Sequence, residues 1–144
     1  MKHTYLLDTN IVMAILRGGA LAERLEAQYH LRTATFRPYI CVVSLGELYS
    51  MALRNRWGAQ KQAALRTIEQ ELVVIDLHHN DVLNAYAALQ HAAQQMGATL
   101  SQNDLWIAAT TSAFNAHLLT TDKDFCTFSP SHFQYTWIDP KSPS

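Results

Sequence analysis

Five carboxylates stand where this chain could do chemistry. Asp8 closes the apolar run Tyr5-Leu6-Leu7, and Asp122 follows His117-Leu118-Leu119-Thr120. Glu47 comes just after Tyr39-Ile40-Cys41-Val42-Val43. Each of these three acids lies where a strand hands over to the next element. Asp104 opens an apolar helical stretch three residues after Ser101, and Asp124 lies two residues past Asp122. In a doubly wound sheet, ligands bind beyond the carboxyl ends of the strands, so acids placed there reach one cleft. Carboxylates that share a cleft repel one another and cannot all stay ionised without a counter-charge. A divalent cation is the simplest remedy, and oxygen-only ligation favours Mg²⁺ or Mn²⁺ over Zn²⁺. Such an ion can orient a phosphodiester, lower the pKa of a water and stabilise charge in the transition state.

Taken singly, every acid also has a structural explanation. Asp8 suits a helix N-cap, and Ser44-Leu45-Gly46-Glu47 and Ser101-Gln102-Asn103-Asp104 both read as capping boxes. Asp122 and Asp124 suit Asx-type turns. Asp76, at the end of a third strand, reads as structural or as surface charge. The repetition at successive strand ends is what favours a site.

The elements that must position these acids follow from apolar periodicity. Strands are expected at Tyr5–Leu7, Tyr39–Val43, Leu72–Asp76, His117–Thr120 and within Tyr135–Ile138. The first acid leads into a helix that ends at Gly18-Gly19, and Ala20 to Arg32 read as helix with Leu21, Leu25 and Tyr29 on one face. The helix carrying Glu47 runs to about Arg56, with Gly58 as its breaker. Gln60–Gln70 form another, with Ala63, Ala64, Leu65 and Ile68 inward. Residues 81–96 are the clearest helix: Val82, Ala85, Tyr86, Leu89, Ala92, Ala93 and Met96 recur at helical spacing, and Gly97 ends it. Continuous apolar strands alternating with helices predict an α/β fold, a three-layer α/β/α domain around a mostly parallel sheet of roughly five strands. The expected organisation is a single domain over residues 1–138 and a polar tail over 139–144.

The chain has 144 residues, enough for one core, and 49% hydrophobic residues, which argues against global disorder. Net charge is −1, but its distribution is uneven. Residues 1–68 hold a balance of +5 and residues 69–144 one of −6, a split that suits a polyanion substrate beside a metal site and equally an ordinary solvated surface. Cys41 and Cys126 are far apart and fit a reducing compartment. No signal-peptide core and no apolar run near the roughly 20 residues of a membrane span are present, so a soluble, cytoplasmic protein is expected.

Four segments carry a resemblance. Leu6-Leu7-Asp8-Thr9-Asn10, Ser44-Leu45-Gly46-Glu47-Leu48, Asn103-Asp104-Leu105-Trp106-Ile107-Ala108-Ala109 and Leu119-Thr120-Thr121-Asp122-Lys123-Asp124-Phe125 resemble, in order and spacing, the signature blocks of the PIN-domain ribonucleases. Length and block spacing resemble the VapC toxins of bacterial type II toxin–antitoxin pairs. The resemblance spans Tyr5 to about Ile138. It implies a metal-dependent endoribonuclease in which Asp8, Glu47, Asp104 and Asp122 are the acidic catalytic and metal-binding set. Asp124 matches an accessory acid, and Asn10 and Thr120 match polar residues beside the set. Asp8, Glu47 and Asp104 would hold the first Mg²⁺ or Mn²⁺, with Asp122 and Asp124 holding it or a second ion. It further implies an RNA substrate such as tRNA, 3′-hydroxyl and 5′-phosphate products, a homodimer, and a cognate VapB-like antitoxin that masks the acids within a hetero-oligomer. One position departs from the family pattern, which often has glycine four residues after the glutamate; here it is Met51, on a surface expected to face partner or substrate.

Arg17, Arg24, Arg32, Arg37, Arg54, Arg56, Lys61 and Arg66 are candidates for phosphate contacts, each equally explained as solvated charge. Tyr49 and Trp57 could stack on bases, whereas Trp106 reads as core. Tyr49, Met51 and Leu53 could serve a dimer contact or the core. The seven histidines form no metal-ligand spacing, and no glycine-rich phosphate loop or nucleophile elbow is present. Two rival functions remain open: a non-toxin RNA-processing nuclease of the same family, and a catalytically silent module that binds RNA or protein.

Overall fold

The computed structural model describes residues 4–33, 35–98, 100–128 and 131–141, so positions 142–144 of the expected tail lie outside it. β1 (Tyr5–Leu7) leads through Asp8 into α1 (Thr9–Arg17) and α2 (Ala20–Tyr29). β2 (Tyr39–Cys41) is followed by α3 (Val42–Arg54) and α4 (Ala59–Glu71), and β3 (Val73–Ile75) by α5 (Asn80–Met96) and α6 (Gln102–Ala113). β4 (His117–Thr120), a 3-10 turn over Lys123–Thr127 and β5 (Gln134–Trp137) complete the order.

The five strands form one sheet in the order β3-β2-β1-β4-β5, and every pairing is parallel. β1 and β4 are therefore central, joined in register as Tyr5↔His117, Leu6↔Leu118 and Leu7↔Leu119. The chain runs outward from β1 toward β3, then crosses back to β4. The crevice at such a reversal is where this kind of sheet binds ligands.

Side chains alternate across a strand, and the core divides accordingly. Leu7, Ile40 and Leu119 point into one cluster with Ile11, Val12, Leu25, Leu48, Leu65 and Ile68, which belong to α1 through α4. Leu6, Cys41 and Leu118 point into the other, with Val82, Leu89, Ile107, Phe125 and Phe133. α1–α4 thus cover one face and α5–α6 the other, the three layers expected. Leu6, Leu7, Leu118 and Leu119 are wholly buried. Each such side chain contributes about 1.5–3 kcal/mol, which anchors the two strands that carry Asp8 and Thr120.

Several boundaries differ from the sequence expectation. β2 stops at Cys41, and Val42 and Val43 begin α3. A β-branched residue is tolerated there because no preceding helical turn crowds its χ1. Ser44 is consequently inside the helix, fully buried with an unpaired hydroxyl, and Cys41 is the N-cap; the Ser44–Glu47 capping box does not exist. The helix after Gly19 ends at Tyr29, where His30 turns left-handed, and Leu31 folds inward. Ala63 and Ala64 face solvent, leaving Leu65 and Ile68 as the inward residues of α4. Met96 is likewise exposed. β3 has a single neighbour and leaves Val73 and Val74 partly exposed, as an edge strand does.

Candidate active site

Asp8 lies directly beyond β1, at the reversal between β1 and β4, and is only 4% exposed. It is the N-cap of α1, and its Oδ1 accepts the Thr9 amide at 2.8 Å. Its Oδ2 accepts the Thr120 hydroxyl at 2.7 Å and the Asn10 amide nitrogen at 3.1 Å. Burial pushes its carboxyl up and Glu47 pushes the same way, while the bonds from Thr120, Thr9 and Asn10 hold it down. The N-terminal end of α1 adds a favourable dipole.

The neighbouring strand end is tied to the same net. The Asn10 carbonyl oxygen accepts the Thr121 amide at 3.0 Å, and Thr120 Oγ1 accepts the Asp122 amide at 2.9 Å. Asp122 Oδ1 accepts the Asp124 amide at 2.9 Å, which turns the chain into the 3-10 segment. Asn10 and Thr120, expected as supports, therefore add side-chain links between the ends of β1 and β4, beside the Asp8 amide bonded to the Leu119 carbonyl at 3.0 Å.

Glu47 projects from α3 and its Oε1 accepts the Thr9 hydroxyl at 2.8 Å. Thr9 was not among the expected site residues. Its partner lies 38 residues away, so no local pattern could signal the contact. A hydroxyl flanked by Asp8 and Asn10 was the available hint.

Asp104 enters from the first turn of α6, where the Ser101 hydroxyl accepts its amide at 3.1 Å. Its carboxyl is pushed up to about 6, first by burial, then by the charges of Asp8 and Asp122, with a smaller push from Glu47. Asp104 thus feels the other three acids of the expected set at once. Among the described residues, Asp104, Asp122 and Asp124 go further, with one carboxylate oxygen from each lying within 4.8 Å of the others. Asp8 and Glu47 face the same space but stand outside that tight trio, because Asp8 is drawn back by its three donors and Glu47 by Thr9.

Asp8, Glu47, Asp104 and Asp122, though not Asp124, border a cleft of about 390 Å³, which also takes in Thr9, Asn10, Thr121 and Asn55. Met13, Ala14, Leu21 and Met51 give it an apolar wall, and Arg17 and Arg54 supply positive charge. Pro140, expected in a polar tail, also lines it. The donor set fits a hard divalent cation. It offers carboxylate oxygens without nitrogen or sulfur, and a cation would offset both the burial and the mutual repulsion that raise Asp104.

Of the other candidates, Arg32 pairs with Glu71 at 2.7 Å and Arg37 donates to the Gln70 carbonyl at 3.2 Å, both away from the acids. Arg24 donates to the Asp139 carbonyl, and Lys61 sits over the Trp57 ring. Trp57 is buried in the core and offers no face to a base, which corrects that expectation. Trp106 stacks on Tyr86 with ring centroids 3.8 Å apart, joining α5 to α6. Tyr49 and Leu53 are exposed on α3. Asp76 is exposed and accepts the His78 amide, a turn-stabilising role. No described helix is long and apolar enough to cross a membrane.

The model of the PIN domain family matches residues 5–129. No curated protein matches the chain by sequence. Solved structures do match in fold. Rickettsia felis VapBC2, solved bound to a DNA fragment from its promoter, superposes with a TM-score of 0.78 at 24% identity, over 94% of this chain and 99% of that one. VapBC-1 from nontypeable Haemophilus influenzae gives 0.78 at 21% identity, covering 93% and 97%. VapBC-5 of the VapBC toxin–antitoxin family from Mycobacterium tuberculosis gives 0.68 at 23%, covering 95% and 100%.

Proposed function

The chain belongs to the PIN-domain family, and from that premise we propose that it is a Mg²⁺-dependent endoribonuclease of the VapC kind, the toxic half of a type II toxin–antitoxin pair. The observation that carries this reading is the convergence of acids at the sheet reversal: Asp8 and Glu47 behind, and Asp104, Asp122 and Asp124 within 4.8 Å in front. Exposed Arg17 and Arg54 in the same cleft suit a polyanion. The likeness to VapBC proteins over nearly the full length of both chains supports a VapB-like antitoxin as partner.

In this reading Asp8, Glu47, Asp104, Asp122 and Asp124 hold Mg²⁺, or Mn²⁺ in its place. When bound, the cation supplies charge neutralisation and Lewis acidity at the phosphodiester. Thr9 fixes the Glu47 carboxylate, while Thr120 and Asn10 fix that of Asp8, so neither must reorganise as substrate arrives. Leu21, Met13 and Met51 form an apolar wall on one side of the acids. A water oxygen bonds to phosphorus as the bond to the 3′ oxygen breaks, leaving a 3′-hydroxyl and a 5′-phosphate. Residues 1–138 act as one nuclease domain in the cytoplasm, where the RNA is, as a homodimer within the antitoxin complex.

The test is cleavage of a labelled tRNA and mRNA panel by antitoxin-free protein with Mg²⁺, with EDTA, and by Asp8→Asn and Asp104→Asn. Cutting that disappears with EDTA and in both variants is the expected result. Folded protein that cuts no RNA with either Mg²⁺ or Mn²⁺ would end the nuclease reading.

A further inference from the structure

The acidic cleft does not end at Glu47. A second cleft of about 400 Å³ continues along α3 and shares Glu47, Met51 and Arg54 with the first. Its far wall adds Gly46 and Ser50 from α3 and Asn103 from α6. Both volumes lie in the range of ordinary ligand sites, about 300–1,000 Å³. Gly46 is not there for packing: a Cβ on it would meet nothing within 4 Å, so the glycine leaves the wall open.

Arg54 stands at the junction. It is exposed and has no ion pair or hydrogen bond among the described residues, although Glu47 lines the same two clefts. Arg32, Arg37 and Arg24, by contrast, are spent on internal partners. A guanidinium left unpaired beside a substrate cleft suits a phosphate, which it can grip with two parallel bonds. Asn103 offers both a donor pair and an acceptor, the combination that reads a base edge, and Ser50 adds a hydroxyl. Single-stranded RNA is recognised on bases splayed out of the stack, which an open side cleft accommodates.

We infer that the second cleft is a nucleotide subsite, in which Arg54 holds the phosphate next to the scissile one and Asn103 with Ser50 reads the flanking base. This deepens the ribonuclease reading above and rests on it. Asn103 and Ser50 are the specificity-determining residues here, and Arg54 sets affinity and register.

The experiment measures kcat and KM on a cleaved RNA oligonucleotide against KCl, and on versions carrying each of the four bases on either side of the cut. Arg54→Gln should raise KM about tenfold, as loss of a charged hydrogen-bond partner does, and leave kcat unchanged. Its log–log salt slope should fall by about 0.7, one phosphate on a single strand. Asn103→Ala should keep the slope but lose about tenfold of base preference at one flanking position. An Arg54→Gln slope equal to that of the parent, or base preferences untouched in both Asn103→Ala and Ser50→Ala, would overturn the subsite while leaving the nuclease standing. Parent protein that cuts no RNA would remove the nuclease reading and the subsite together.

Discussion

Asp8 and Asp76 begin alike. Each follows a three-residue parallel strand, β1 or β3, and each could cap the turn that comes next. β1 lies in the middle of the sheet at its reversal, and Asp8 there is buried, takes three hydrogen bonds and shares its cleft with three other acids, Glu47, Asp104 and Asp122. β3 lies at the edge, and Asp76 there is exposed and accepts one amide at 3.1 Å. The difference comes from sheet order, which decides whether a strand end meets another strand end or water.

The widest gap between the two should appear in catalysis. Asp8→Asn should lower RNA cleavage by more than about a hundredfold, beyond what supporting residues cost, with the circular dichroism spectrum retained. Asp76→Asn should cut at the parent rate; an equal loss in both would erase the distinction. Thr120→Val comes next, since it removes a donor to Asp8 and an acceptor for the Asp122 amide. It should cost about 1–3 kcal/mol in urea unfolding and raise the Mg²⁺ concentration for half-maximal cleavage about tenfold or more. Thr9→Val should raise that Mg²⁺ requirement about tenfold with little change in stability, because Glu47 loses a partner but remains within reach of solvent.

A smaller effect tests the electrostatics. Asp104 titrates near 6 in the folded protein, above its ordinary value of 3.8. The folded state therefore holds this proton more tightly than the unfolded chain. Its destabilising contribution is absent below pH 4, grows between 4 and 6, and is complete above 6. Asp104→Asn should accordingly raise the Tm of metal-free protein at pH 7.5 by about 3 °C for each kcal/mol recovered, with the gain shrinking as pH falls through 6 to 4. Mg²⁺ should raise the parent Tm and leave that of Asp104→Asn nearly still. A gain that grew on acidification would show that the acids do not repel as described. The least change belongs to Asp76→Ala, with a stability cost within about 0.5 kcal/mol, as expected of a surface substitution.

Much of this architecture was legible in the residues. The apolar runs located every strand, Gly97 and Ser101 marked the helix ends they occupy, and the acids at strand ends pointed to one cleft. Those signals are local: they depend on side-chain period and on capping groups a few residues apart. Where local signals competed, reading by pattern failed. Val42-Val43 looked like strand because β-branched residues favour it, yet they start α3, and Ser44 looked like a cap yet is buried. Trp57 looked like a stacking surface and proved to be core.

By itself the sequence determined the element types, the three-layer class and which acids were available, because periodicity and strand-end placement are written into neighbouring residues. Only the tertiary structure decided how those acids divide. The central pairing of β1 with β4 buried Asp8 beneath Thr120 and Asn10, while the α3 packing brought Glu47 to Thr9 across 38 residues. It drew Asp124 into the tight trio and left Asp76 at the edge. Contacts of this kind join residues far apart in the chain, and their geometry follows from strand order and helix docking, which no local pattern carries.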